Sequence, residues 1–151
     1  MIKIITVGSI KEKYLKEAID EYKKRLTKYT NLEIIEVKDE GLVEQETAKK
    51  LEAKKIDNYL SDKDYIITLE IEGREYTSEE FAEKLDKIQI ESSNITFIIG
   101  GSYGLADEIK EKARIHLSFS KMTFPHQLFR VLLLEQIYRA YKINNNESYH
   151  K

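Results

Sequence analysis

Two patterns of apolar residues alternate along the chain, one typical of strands and the other typical of helices. Short runs rich in Ile, Val and Leu predict five strands, at residues 2–7, 32–37, 65–71, 95–99 and 115–119. Apolar residues three and four positions apart predict five helices, at residues 10–29, 42–60, 77–89, 105–114 and 125–143. Strands that alternate with helices are typical of an α/β domain, in which helices cover both faces of a parallel sheet. The pattern therefore predicts a single domain over residues 1–151, built on an open parallel sheet.

Local signals mark the starts of two of these helices. Thr77 and Glu80 have the spacing of a capping box, in which the hydroxyl and the carboxylate each accept the other residue's backbone N–H. Pro125 is the only proline. It falls in the predicted first turn of the last helix, where its fixed φ and missing N–H are harmless. Thr123 is the predicted N-cap of that helix.

The last helix is apolar over most of its circumference. At about 100° per residue, Glu135, Arg139 and Lys142 fall within one polar sector of about 60°. If four or five of its large apolar side chains stayed in water, the fold would lose about 6–15 kcal/mol of burial free energy, which is as large as the stability of a whole domain. One face of a sheet cannot cover such a helix. A second subunit is the simplest cover, and burial within one chain is the alternative.

Composition excludes several kinds of protein and site. The chain has no cysteine, which excludes disulfides, thiolate metal ligands and cysteine nucleophiles, and suits a reducing compartment. Its three histidines are too scattered to predict a metal site. No apolar run approaches a membrane span, and the N-terminus is too polar for a signal peptide, so we expect a cytoplasmic protein. A net charge of −2 argues against a general nucleic-acid binder but leaves room for a local basic patch.

Three of the six glycines fall within residues 100–104, directly after the fourth predicted strand. Glycine allows both a tight turn and a close approach of the backbone to a ligand, and both interpretations stay open. A Rossmann fingerprint would follow the first strand with GxGxxG spacing, and a P-loop would continue into GK[ST]; neither pattern is present.

Four features, in order, carry a resemblance to a known family. They are GGSYG at 100–104, LSFSKMTFPHQ at 117–127, the helix with Arg130 and EQIYRA at 135–140, and the terminal YHK at 149–151. Together they resemble the RlmH family of small SPOUT-class RNA methyltransferases, and the resemblance covers the whole chain. It implies a C-terminal trefoil knot, a homodimer and S-adenosylmethionine as cofactor. It also implies methylation of N3 of a pseudouridine in helix 69 of 23S rRNA, on the assembled 70S ribosome, with no metal and no membrane.

The resemblance also assigns residues to the site. The cofactor would be held by Leu69, Gly100, Phe119, Ser120, Lys121, Met122, Thr123 and Phe124. The pseudouridine nitrogen must lose a proton, so a base or a cation that stabilises the ring anion is needed. We predict His150 as the base, Lys151 and Arg130 as stabilisers of a ring oxygen, and Tyr149 as a stacking or positioning residue.

In the family the tail reaches the neighbouring subunit's site, so residues 149–151 would act in trans. Several plainer interpretations stay open. The tail could only bind RNA phosphate, His126 could only cap or pack its helix, and His116 is predicted to be structural. The whole chain could instead be a non-catalytic dimeric module for a nucleotide-like ligand, or a SPOUT enzyme for a tRNA ribose or guanine.

Overall fold

The computed structural model describes all 151 residues and contains the five predicted strands and five predicted helices in the predicted order. The elements are β1 (Ile2–Val7), α1 (Lys13–Leu26), β2 (Leu32–Val37), α2 (Gln45–Asp57), β3 (Tyr65–Glu75), α3 (Ser78–Glu91), β4 (Ile95–Ile99), α4 (Asp107–Lys110), β5 (Ile115–Ser118) and α5 (His126–Asn144). The α/β class is confirmed.

All five strands form one sheet in the order β2-β1-β4-β3-β5, and every pairing is parallel. Every side chain of the interior strand β4 is buried, whereas the edge strand β2 is mostly half-buried or exposed. This difference follows the rule that interior parallel strands are apolar on both faces.

Successive side chains of each strand point to opposite faces of the sheet, and both faces are covered. On the larger face, Ile4 and Phe97 belong to a core that takes its helical side chains from α1, α3 and α5. On the smaller face, Ile5 and Ile98 belong to a second core that includes side chains from α2 and α4. The prediction of helices on both faces is confirmed.

Helix α5 lies on the larger face and packs against both α1 and α3. Leu133, Leu134 and Ile137 are fully buried, and only Leu128 among its residues is exposed, at 39%. Most of the apolar circumference that indicated a second subunit is therefore covered within the chain. The apolar pattern of α5 alone could not reveal this, because two neighbouring helices contact α5 in addition to the sheet.

Several predicted boundaries were wrong, although the Thr77 capping box is confirmed. The backbone N–H of Glu80 donates to the Thr77 hydroxyl at 3.0 Å, and that of Thr77 donates to the Glu80 carboxylate at 2.8 Å. Thr123 is not an N-cap: Pro125 occupies that position, and no side chain caps the helix. The helix predicted over 105–114 keeps only four residues, and β3 runs four residues beyond its predicted end.

The extension of β3 produces an unusual pairing with β5. Leu69 and Arg74 both align with Leu117, so the residues between them leave the ladder. We call residues 70–73 the β3 arch. A Cβ on Gly73 would lie 2.5 Å from the carbonyl oxygen of His116, so the arch passes directly against the β5 backbone and only glycine fits there.

Candidate active site

The carboxyl ends of β3, β4 and β5 open into a pocket of about 390 Å³. Ligands of parallel α/β sheets bind at this edge. The pocket is lined by residues 69–72, 99–105, 117–120 and 122–124, together with Lys110, His126 and Phe129.

The predicted cofactor residues meet in this pocket. Its lining includes seven of the eight: Leu69, Gly100, Phe119, Ser120, Met122, Thr123 and Phe124. The eighth, Lys121, is exposed and does not line the pocket. Segments that are far apart in sequence therefore converge on one cavity.

The glycine cluster is both a tight turn and a wall of the pocket. Its turn closes with a hydrogen bond from the Gly104 N–H to the Gly101 carbonyl, at 3.0 Å. Gly104 has a φ of +81°, which favours glycine. A Cβ on Gly100 would lie only 2.7 Å from the Gly104 carbonyl carbon. The two glycines are thus required for different reasons, one for conformation and one for space.

The loop between β5 and α5 gives the pocket an aromatic wall. The Phe129 ring lies 4.9 Å from the Phe119 ring and 6.0 Å from the Phe124 ring, centroid to centroid. Two hydrogen bonds shape the loop: the Ser118 hydroxyl donates to the Ser120 carbonyl, and the Met122 N–H donates to the Ser120 hydroxyl. An apolar wall with a few polar residues beside it, here Ser120 and Thr123, is typical of a small-molecule site.

Glu70 adds a carboxylate to the pocket that the sequence analysis did not identify. The Thr68 hydroxyl donates to it at 2.6 Å, His116 pairs with it, and Lys110 lies 3.8 Å away. Burial alone would raise the pKa of Glu70, but the hydrogen bonds from Thr68 and His116, together with the charges of His116 and Lys110, outweigh burial and lower this pKa. Its position next to the predicted end of the third strand, at residue 71, was the only sequence signal that could have revealed it.

His126 also lines the pocket, at the first residue of α5. Burial lowers its pKa; the Asp39 carboxylate opposes this shift and the Arg130 guanidinium adds to it. The sequence alone left open whether His126 only caps or packs its helix.

Arg130 lies outside the pocket. It is 3% exposed and donates to the Glu36 carboxylate at 2.5 Å and to the Gly8 carbonyl at 2.8 Å. A third bond, of 3.3 Å, reaches the Val7 carbonyl, while its Nε is buried without a partner. In this chain Arg130 therefore ties α5 to the carboxyl ends of β1 and β2.

The C-terminal tail packs on its own chain, away from the pocket. The Tyr149 hydroxyl donates to the Glu135 carboxylate at 2.7 Å. His150 lies between Arg139, at 3.0 Å from Nδ1, and Glu79, at 2.5 Å from Nε2. Lys151 is exposed. None of these tail residues lines the pocket, so one chain keeps its predicted cofactor residues and its predicted catalytic tail apart.

Two further properties concern metals and membranes. No group of three or more His, Cys, Asp or Glu side chains is placed to hold a metal ion. None of the helices has the length and apolar character needed to cross a membrane.

Comparisons with known proteins match the whole chain to methyltransferases. A family model described as "Predicted SPOUT methyltransferase" matches residues 1–150. Proteins named "Ribosomal RNA large subunit methyltransferase H" are 52% identical in Clostridioides difficile (strain 630) and 48% identical in Clostridium acetobutylicum, each over 99% of both chains. A solved structure, of a probable methylase family protein from Haemophilus influenzae Rd KW20, covers 99% of this chain and 70% of its own, with a TM-score of 0.58. At 17% identity, that structure supports the fold alone.

Proposed function

The chain belongs to the SPOUT methyltransferase family and is an rRNA methyltransferase, and from this premise we propose its cofactor and its target. The cofactor is S-adenosylmethionine. The target is N3 of a pseudouridine in helix 69 of 23S rRNA, within the assembled 70S ribosome. The observation that carries the proposal is the convergence of seven predicted cofactor residues on one pocket.

The pocket residues fit this cofactor. A cavity of about 390 Å³ falls in the range of small-molecule sites, which is about 300–1,000 Å³. Leu69, Met122 and Phe124 offer apolar surface to the adenine face, and backbone groups of residues 119–124 suit its edge. When bound, S-adenosylmethionine supplies a methyl group on a positively charged sulfonium, which is already electrophilic.

The protein's own work is to orient the substrate, exclude water and remove a proton. Orientation alone lowers the barrier substantially when the reacting atoms are held in line. The pseudouridine N3–H must lose its proton before or during attack, so the site needs a base. No side chain has to form a covalent intermediate.

We propose that two copies of the chain build each site. Tyr149, His150 and Lys151 lie away from the pocket of their own chain, so the tail of one subunit would complete the pocket of the other. There Tyr149 would position the target base, and His150 and Lys151 would face its ring. Arg130 fixes α5 through its bonds to Glu36, Val7 and Gly8, and its proposed role in stabilising a ring oxygen of the target would add to this.

We also propose that the C-terminal part forms a trefoil knot. Membership of the SPOUT methyltransferase family supports this proposal, because the resemblance to that family implies the knot. Knots are otherwise nearly absent from protein folds.

The net charge supports a substrate presented by the ribosome. A protein of charge −2 gains little from counterion release on free RNA, since that gain scales with the number of phosphates neutralised. The protein therefore needs an RNA target of defined shape and a basic surface to which both subunits contribute.

The decisive experiment measures transfer of radiolabelled methyl groups to ribosomes that lack this modification, followed by mass mapping of the 23S rRNA. Free 23S rRNA and a variant ending at Ser148 are assayed in parallel. We expect label on one helix 69 pseudouridine, only in ribosomes and only with the intact tail. Cofactor binding without rRNA label would refute the target, and absence of cofactor binding would favour a regulatory module.

A further inference from the structure

His126 is the only histidine that lines the pocket. It is the first residue of α5 and follows the loop that supplies the aromatic wall. Its side chain is half-buried, so it reaches the cavity while staying partly shielded from solvent. The catalytic residues predicted from the sequence all lie elsewhere, and the pocket of a single chain therefore has one candidate for a neutral nitrogen base.

The surroundings of His126 keep its imidazole neutral near pH 7. Burial lowers its pKa, the Arg130 guanidinium lowers it further, and only the Asp39 carboxylate opposes them. The start of a helix also disfavours a cation, because the helix dipole is positive there. No hydrogen bond contributes to the shift. The other charged groups that line the same pocket are Glu70, Glu72 and Lys110.

His150, the alternative base, has both ring nitrogens occupied. Arg139 can only donate, so Nδ1 of His150 accepts from it at 3.0 Å. The Glu79 carboxylate accepts from Nε2 at 2.5 Å, so that nitrogen carries the proton. In this arrangement His150 has no free lone pair and cannot accept a proton without breaking a bond.

We infer that His126 is the general base that takes the proton from the target nitrogen during methyl transfer. The N–H bond of the pyrimidine ring breaks, the proton moves to a ring nitrogen of His126, and the bonding pair stays on the pyrimidine nitrogen. The resulting imidazolium returns its proton to water after the product leaves. This inference rests on the proposed function, and it moves the role of base from the tail to the pocket.

The first test needs neither cofactor nor ribosomes. A pH titration of the histidine ring protons by NMR, on the apo protein, follows all three imidazoles. His126→Gln identifies the resonance of His126. We expect it to titrate below the ordinary histidine pKa of about 6.5, and titration above that value would overturn the inference.

The second test compares single-turnover methylation rates from pH 5.5 to 8.5. The wild-type rate should fall on the acid side, with a midpoint at the pKa measured for His126. His126→Gln should lower the rate by about 10²–10⁴-fold and abolish that acid limb, with the cofactor Kd from calorimetry unchanged within about twofold. The neighbouring Gln127→Asn variant should keep both the rate and the limb.

These experiments distinguish a failure of the inference about His126 from a failure of the proposed function. An acid limb that survives in His126→Gln and disappears in His150→Gln overturns the inference but leaves the proposed function intact. A weaker cofactor Kd with an unchanged limb makes His126 a cofactor contact and likewise overturns it. Wild-type protein that labels no ribosome refutes the proposed function itself. Thermal melting checks that His126→Gln is folded, and His126→Asn replaces it if it is not.

Discussion

Replacing Gly100 by alanine tests whether the glycine turn is sterically closed. The new methyl carbon would lie 2.7 Å from the Gly104 carbonyl carbon, 2.9 Å from its oxygen and 3.1 Å from Cγ of Leu105. Carbon atoms ordinarily stay about 3.5–4.0 Å apart, so the turn would have to open by about 0.8 Å. Gly104 resists this movement through its hydrogen bond to Gly101, and Leu105 resists it because it is buried at 4% exposure.

The size of the effect follows from this overlap. Overpacking a closed site costs about 1–3 kcal/mol, out of a total stability of about 5–15 kcal/mol. For a chain of this length the melting temperature should fall by about 2–12 °C. Gly104 and Leu105 also line the pocket, so we expect the Kd for the proposed cofactor, S-adenosylmethionine, to rise by about tenfold, which corresponds to about 1.4 kcal/mol.

Urea unfolding and calorimetric titration measure the two effects on Gly100→Ala. Ser102→Ala is the matched control, because Ser102 lies in the same turn and is exposed; its stability should change by less than about 0.5 kcal/mol. If Gly100→Ala unfolds at the same urea midpoint as Ser102→Ala and binds cofactor equally well, the turn adapts and the steric argument is wrong.

Three further predictions concern stability and the tail. Thr77→Ala removes the capping box and should lower the free energy of unfolding by about 1 kcal/mol in urea titrations, with the cofactor Kd unchanged. Tyr149→Phe removes the bond to Glu135 and should cost about 1 kcal/mol; equal urea midpoints would show that this bond does not anchor the tail. The Tyr29 hydroxyl and two lysines lower the pKa of Glu147 to about 2. The ionised Glu147 carboxylate therefore stabilises the fold fully above pH 4.5, and this stabilisation is lost as the pH falls towards 2. The urea midpoint of wild type should therefore fall towards that of Glu147→Gln across this window, and a constant gap between the two would contradict the assignment.

The elements were predictable because their signals are local. Strand β4 is entirely apolar, and the Thr77 box needs only residues within one helical turn. Boundaries were harder, because apolar side chains can also be buried outside regular elements. Ile10, for example, is 8% exposed but precedes α1.

The arrangement of distant segments was not predictable from local pattern. Nothing near Arg130 indicates that its guanidinium bonds to carbonyls at the end of β1, 122 and 123 residues away. The residue type suggested an anion partner, and that partner is a carboxylate of the protein. The role of His126 stayed open for a similar reason, since only the folded chain shows that it lines the pocket.

The central position of α5 on the larger face has a consequence for synthesis. Chains are made from the N-terminus, and early segments can fold as they emerge. Here the helix that packs against both α1 and α3 is translated after all five strands and the other four helices. Until then the larger face of the sheet lacks its central cover, and the pocket lacks the loop that forms its aromatic wall. The pocket of this rRNA methyltransferase is therefore completed only after all five strands have been translated.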